Sequence, residues 1–331
     1  MIEPGTPIGI GLIGLGSWAR SAYVPILQEL PGVTVQAVAA RTEETLGLAG
    51  RLFGIGVKLY TDYNRLVADP NVDAVMIGLP SKVSVPACTA AIEAGKHVWV
   101  EPPFPNDAGT RRMLALAMDS PGVFHVDLEL RYVPVAGAVK SLVSAGAIGR
   151  PLLVRVVQEC DWGRQWATGE MLGGLSTWYI DAIDALIEEP ADRVFMGGAG
   201  AGPGPDSPIQ VGTASFRFPG GAIGEWAFNL RSGADLDLRL RVIGAGGEIE
   251  ADLLSGGYRH RRPGEGWTTG EAVSSTPIHG FVGMREAVMA FLAAVRRERD
   301  TLSGPDVYRR VQSMQAAIWR SVTAGTAVQP D

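Results

Sequence analysis

Six apolar residues, IGIGLI (8–13), run directly into GLGSWA (14–19), and a helical pattern takes over from Trp18 to Leu30. A buried strand, a glycine turn and a helix in immediate succession leave few folds open to the chain. Gly14 permits the tight turn, Gly16 lets the backbone approach a pyrophosphate, and Ala19 keeps the helix close to the strand. The first helical turn, with Ser17 and Trp18, then presents free N–H groups to an anion.

The same rhythm repeats through VTVQAVAA (33–40), KLY (58–60), DAVMIGL (73–79), KHVWVE (96–101) and GVFHV (122–126), each followed by a helix-like stretch. Strands that are apolar throughout and alternate with helices indicate a parallel sheet covered on both faces. The spacing therefore predicts a doubly wound, Rossmann-type dinucleotide-binding domain over residues 1–127.

Beyond RYVP (131–134) the rhythm changes. Helical patterns at about 135–145 and 174–188 flank a strand at PLLVRVVQE (151–159). Period-two strands follow at QVGTASFRF (210–218), AIGEWAFNL (222–230), DLRLRVIG (237–244) and GEIEADL (247–253), and helices at about 280–299 and 304–323 close the chain. Consecutive strands without intervening helices predict an open, mostly antiparallel sheet. The fold class expected is thus α/β, with a second α/β domain over 128–331 serving substrate binding and oligomerisation. GAGAGPGPDSP (198–208) reads as a surface loop.

A length of 331 residues favours two domains over one core. Net charge is −6, with no Lys/Arg block long enough to follow a phosphate backbone, which argues against nucleic acid and anionic membranes as partners. No apolar run reaches the roughly 18–20 residues of a spanning helix, and the start lacks a basic leader, so the expected location is the cytoplasm. Cys88 and Cys160 are far apart in sequence and suit inert core thiols in a reducing compartment. The four scattered histidines offer no metal spacing, and no metal site is expected. His97 and His125 lie in strands that read as buried, and are expected to be core residues.

An NAD-specific site would carry an acid at the end of the second strand to hold the ribose hydroxyls. This chain has Ala40 and then Arg41, which can pair with a 2′-phosphate and stack on adenine. NADP is the favoured cofactor, with NAD the alternative. Pro80, Glu101 and Pro102, at the carboxyl ends of later strands, are expected along the same cofactor edge.

Several segments together resemble the glucose-fructose oxidoreductase / inositol dehydrogenase / MocA family. They are GLIGLGSWARSAYVPIL, VDAVMIGLPS, AIEAGKHVWVEPPF and LRYVP followed by LVSAGAIGRP. The resemblance implies a nicotinamide cofactor, a small-molecule substrate, and a homodimer or homotetramer formed through the second domain's sheet. It also implies a catalytic set of three, namely the lysine of a Glu-Lys-Pro turn and an aspartate and a histidine on the first long helix of the second domain. Here the turn reads VEPPF, with Pro102 in the lysine's place. Matching GGLSTWYIDAID (173–184) to that helix puts Thr177 at the aspartate and Asp181 at the histidine. Ser81 and Ser84 stand where the family commonly has asparagine and histidine.

Other groups must then handle the proton. Thr177, Asp181 and Asp184 are spaced to share one helix face. Glu129 sits in DLELRYVP, where the family pattern carries a neutral polar residue. Glu129 and Asp181 together would make an acidic pocket in which one carboxyl is pushed upward, suited to an amino sugar or an iminium. Trp162, Trp166, Trp178 and Tyr179 could supply an aromatic wall. Asp181, Glu129 and Tyr179 are the catalytic candidates. Three readings remain open on the sequence: a divergent NAD(P)-dependent oxidoreductase on a small sugar-like, amino-sugar or imine/carbonyl substrate, a redox-neutral eliminase or isomerase, and a noncatalytic dinucleotide or sugar sensor.

Overall fold

The computed structural model describes residues 6–162, 171–200, 208–274 and 282–331. They form two compact units. The first holds 6–127 and 282–308, and the second holds the described residues of 128–274 together with 309–331. The second domain, expected to run unbroken from 128 to the end, is therefore interrupted by an excursion that builds part of the first.

In the first unit, β1 (Ile8–Ile13), β2 (Val33–Ala39), β3 (Lys58–Tyr60), β4 (Ala74–Ile77), β5 (His97–Val100) and β6 (Phe124–Val126) form one sheet in the order β3-β2-β1-β4-β5-β6. All five pairings are parallel. Every residue of β1 and β4 is buried, as strands covered on both faces must be. Removing one such Ile or Val side chain from water contributes about 1.5–3 kcal/mol, so the centre of the sheet is its most stable part. The helical pattern expected from Trp18 to Leu30 splits into Ser17–Ala22 and Val24–Glu29. Pro25 is the cause, because it has no N–H for the ladder and is tolerated only in a helix's first turn.

The excursion covers the β6 edge. Val126 N–H donates to the Ser303 carbonyl (2.9 Å), Thr301 Oγ1 bonds His125 Nδ1 (2.8 Å), and Phe291 of the Met284–Val295 helix packs edge-on against Trp99. An exposed β6 would leave unpaired backbone groups as a template for another chain.

The second unit carries β7 (Pro151–Glu159), β8 (Arg193–Gly200), β9 (Ile209–Arg217), β10 (Ile223–Asn229), β11 (Asp237–Gly244), β12 (Gly247–Asp252), β13 (Gly257–Arg261) and β14 (Thr268–Glu271). Their order is β14-β13-β12-β11-β7-β10-β9-β8. Only β7 with β10 is parallel, so the sheet is mostly antiparallel, as the alternation predicts. The Ser176–Ile187 helix lies on one face. Gly224 permits that contact, since a Cβ there would stand 2.6 Å from Ile183 Cγ2. Tyr179 stacks on Trp226 with ring centroids 5.7 Å apart. On the other face Phe195, Val211 and Ile223 are exposed. Of the stretch expected as a surface loop, residues 198–200 finish β8 and 201–207 lie outside the described residues, as does Trp166.

Candidate functional site: the carboxyl edge of the parallel sheet

Ladder bonds continue just past the strands of the first unit. Gly14 N–H donates to the Ala39 carbonyl (2.9 Å), Gly78 N–H to Ile13 (3.0 Å), Glu101 N–H to Ile77 (3.1 Å) and Asp127 N–H to Val100 (2.9 Å). One edge therefore collects residues 14–17, 40–41, 78–80, 101–102 and 127. In open α/β sheets this carboxyl edge is where ligands bind.

Gly14 has φ +88°, and a Cβ on it would come 2.4 Å from the Gly78 carbonyl oxygen, so both the turn and the close approach require glycine. Gly16 differs. It is exposed, and a Cβ there would meet nothing within 4 Å, so the fold itself leaves that space open. An open backbone opposite a helix start, with exposed Ser17 and half-buried Trp18, fits a dinucleotide pyrophosphate. Arg41 is exposed immediately before Thr42, whose hydroxyl caps the Glu43–Phe53 helix by accepting from Thr45 N–H (3.3 Å). Pro80 is exposed at the start of the Ser81–Glu93 helix. Pro102 is buried, followed by a cis bond to Pro103, and the Phe104 N–H donates to Tyr308 Oη (2.9 Å).

Glu101 is 8% exposed and Asp127 fully buried. They follow the neighbouring strands β5 and β6, and Glu101 Oε1 accepts from Trp99 Nε1 (3.4 Å). Burial pushes the Glu101 carboxyl up to about 7, while the polar groups of Asp127, Trp99 and Trp18 pull it back. Tyr23, buried nearby, is raised by burial and then by Glu101 and Asp127. Asp127 was missed on the sequence, although the signal was available, since it ends an apolar strand as Glu101 does.

His125 is buried, stacks on Trp99 at 4.4 Å and is pushed down to about 3 by burial, which makes it a neutral core residue. His97 Nδ1 accepts from Val123 N–H (2.9 Å), also a structural use. Cys88 and Cys160 are buried free thiols. At the amino edge of β4 and β5 a separate cavity of about 560 Å³ is lined by Asp73, Lys96, His97, Arg296 and Arg297 among others. Two of its cations are engaged with backbone, Lys96 with the Asp69 and Val72 carbonyls and Arg296 with Gly32.

In the second unit, Thr177, Asp181 and Asp184 do share one helix face, and all three are fully buried. Gln315 Nε2 donates to Thr177 Oγ1 (2.9 Å). Arg131 holds Asp181 through Nη2 at 2.6 Å and reaches Asp184 at 3.0 Å, while Arg310 takes Asp184 from the other side at 2.9 Å. The Asp181 carboxyl is pushed up to about 6 by burial, pulled back by Arg131 and raised again by Asp184. This corrects the expected pairing, because the acid acting on Asp181 is Asp184, one helical turn away, and Glu129 acts instead on the buried Tyr179. It also corrects the expected acidity, because two arginines balance the two aspartates. Arg131, inside LRYVP, was not singled out on the sequence, where an arginine beside an aromatic gives no sign of burial. Glu129 is half-buried in the turn Glu129–Tyr132, and Trp162 is half-buried beyond β7.

Among the described residues no group of His, Cys, Asp and Glu is placed to hold a metal ion, and no helix is long and apolar enough to cross a membrane.

Two family models match in succession. One, an oxidoreductase family with an NAD-binding Rossmann fold, covers residues 8–128, and the other, the GFO/IDH/MocA C-terminal domain, covers 137–250. Inositol 2-dehydrogenase of Rubrobacter xylanophilus is 26% identical over 94% of this chain and 89% of its own length. Levoglucosan dehydrogenase of Pseudarthrobacter phenanthrenivorans is 28% identical over 66% of each chain. In fold, the chain superposes on levoglucosan dehydrogenase in complex with NADH and levoglucosan with a TM-score of 0.83, at 20% identity, covering 98% of this chain and all of that one. An oxidoreductase domain protein from Kribbella flavida gives 0.84 at 21% identity, over 98% of this chain and all of that one. With both halves matched by models of one family, the chain belongs to the GFO/IDH/MocA oxidoreductases.

Proposed function

We propose that the protein is a nicotinamide-dependent oxidoreductase that interconverts an alcohol and a carbonyl on a small cyclic sugar or polyol, without the lysine, aspartate and histidine that the family resemblance implies. The observation that carries this reading is the carboxyl edge of the parallel sheet, where an open Gly16, an exposed Arg41 and the Glu101 carboxyl lie together. When bound there, the nicotinamide supplies the hydride acceptor or donor, and the protein supplies position and proton handling. The sugar-like substrate class is supported by the inositol and levoglucosan dehydrogenases among the relatives. A neutral substrate is preferred over an amino sugar because Asp181 and Asp184 are neutralised by Arg131 and Arg310.

Arg41 supports NADP(H) over NAD(H), since an exposed guanidinium follows Ala40 at the end of β2, where an NAD site would carry an acid, and can pair with a 2′-phosphate. In the second unit, Glu129 and Tyr179 are assigned to substrate contact, and Asp181 to holding Arg131 in place. The exposed apolar face carrying Phe195, Val211 and Ile223 is assigned to a second copy of the chain. Calorimetric titration of the full chain with NADPH and with NADH tests the cofactor assignment. One site per chain with NADPH tighter is expected, and no binding of either would overturn it.

A further inference from the structure

The cavity of about 560 Å³ at the amino edge of β4 and β5 lies at the end of the parallel sheet opposite to the cofactor edge, and its walls bring together Asp73, Lys96, His97, Arg296 and Arg297. All five belong to the first unit. Asp73 immediately precedes β4, Lys96 and His97 stand at the start of β5, and the two arginines follow the Met284–Val295 helix. Among the described residues none of the three cations is ion-paired with a carboxylate. Lys96 Nζ gives two protons to the Asp69 and Val72 carbonyls at 3.0 and 2.6 Å, and Arg296 Nη2 donates to the Gly32 carbonyl at 2.8 Å. Bonds to neutral carbonyls fix both cations without neutralising them, and they leave one N–H of the lysine and most of the guanidinium fork for a ligand. Arg297 is exposed, with φ +61°, a left-handed backbone that favours glycine. His97 Nδ1 accepts from the Val123 N–H (2.9 Å), so the neutral ring carries its proton on Nε2 as a further donor. Burial holds His97 below the usual histidine range, while Asp73 raises it and Arg297 lowers it, so both charges act on this ring. Against the three cations stand Asp73 and the carboxyl ends of the Ser81–Glu93 and Met284–Val295 helices, each end worth about half an elementary charge. The balance is positive, on a chain whose net charge is −6.

We propose that this cavity is a second ligand site, taking a small phosphate monoester whose phosphate is held by Lys96, Arg296 and Arg297 and whose carbon portion lies against Val72 and Val295, the apolar part of the wall. A phosphate monoester is close to a dianion at neutral pH and presents three acceptor oxygens, which suits a guanidinium fork beside a lysine point charge. The volume falls within the roughly 300–1,000 Å³ of small-molecule sites and leaves room beyond a bare phosphate. The site goes beyond the oxidoreductase reading and stands apart from it, since none of its residues lies on the cofactor edge.

The test is calorimetric titration of the full chain with glycerol 3-phosphate, inorganic phosphate and succinate in a low-salt, phosphate-free buffer. Glycerol 3-phosphate should bind at one site per chain, more tightly than either of the others. Arg297→Gly should weaken it by about tenfold or more, without lowering the melting temperature, because glycine suits the left-handed backbone there. Asp73→Asn should tighten it, since an amide oxygen can still accept from the Gly9 N–H (2.7 Å) while the repelling charge is gone. Gly16→Ala, at the cofactor loop, should leave it unchanged, and Arg297→Gly should leave NADPH binding unchanged. No heat with glycerol 3-phosphate, an affinity that neither Arg297→Gly nor Asp73→Asn moves, or a site lost in Gly16→Ala would overturn the proposal. Inorganic phosphate or succinate binding as tightly as the ester would overturn the assignment to a monoester. Loss of NADPH binding alone, with glycerol 3-phosphate still bound, would overturn the oxidoreductase reading and leave this site standing.

Discussion

Arg131 donates three hydrogen bonds to Asp181, from Nε to both carboxylate oxygens at 3.1 and 3.2 Å and from Nη2 to Oδ1 at 2.6 Å. A carboxylate held this way in a fully buried position is an anchor, and it ties the Glu129–Tyr132 turn to the Ser176–Ile187 helix. Breaking such a pair leaves an uncompensated buried charge, which costs about 3–5 kcal/mol. Asp181→Ala should therefore lower the urea unfolding midpoint markedly, with Asp184→Ala acting in the same direction because Arg131 and Arg310 both lean on it.

Glu101 gives stability a pH dependence of definite sign. Its folded carboxyl is pushed up to about 7 from an ordinary value of 4.5, so between those values the folded state binds more protons than the unfolded chain. Stability from this residue is full below about pH 4.5 and is lost as pH rises through 7, by up to about 3 kcal/mol. Urea melts from pH 5 to pH 8 should show the fall, and Glu101→Gln should flatten it.

Two glycines of one motif should separate folding from binding. Gly14→Ala forces a Cβ against the Gly78 carbonyl at a left-handed φ, so it should cost several kcal/mol of stability. Gly16→Ala meets nothing in the protein. Its melting temperature should stay close to wild type while NADPH binding weakens by at least about tenfold, a loss of about 1.4 kcal/mol.

Arg41→Ala should weaken NADPH by about tenfold or more, the scale of one charge-assisted contact of 1.5–3 kcal/mol. NADH affinity should change little. Parallel fluorescence titrations give both numbers, and an equal effect on the two cofactors would remove Arg41 from 2′-phosphate recognition.

The parallel sheet was legible because its signals are local, with strands such as AVMI and HVWV uniformly apolar and the GLGSWA turn carrying its own geometry. The helix face of Thr177, Asp181 and Asp184 was legible for the same reason, since spacing alone sets it. What meets that face was not. Arg131 lies 50 residues from Asp181, and Arg310 lies 126 from Asp184. Nothing in an arginine's local sequence reveals a partner so distant. The placing of Asp127 next to Glu101 at the strand ends escaped likewise, because the pairing of β5 with β6 depends on register, which only the folded sheet supplies. The return of 282–308 to the first unit is a matter of topology, and its helical pattern is the same wherever it packs.

Hydride transfer shows itself in the near-ultraviolet absorbance of the reduced nicotinamide. The full chain is mixed with NADP⁺ or NAD⁺ and a panel of anhydrosugars, cyclic polyols and their derivatives, and in the reverse direction with NADPH and the matching ketones. Absorbance should rise with an alcohol and fall with its ketone. Cofactor that binds tightly yet keeps its redox state across the whole panel in both directions would contradict hydride transfer.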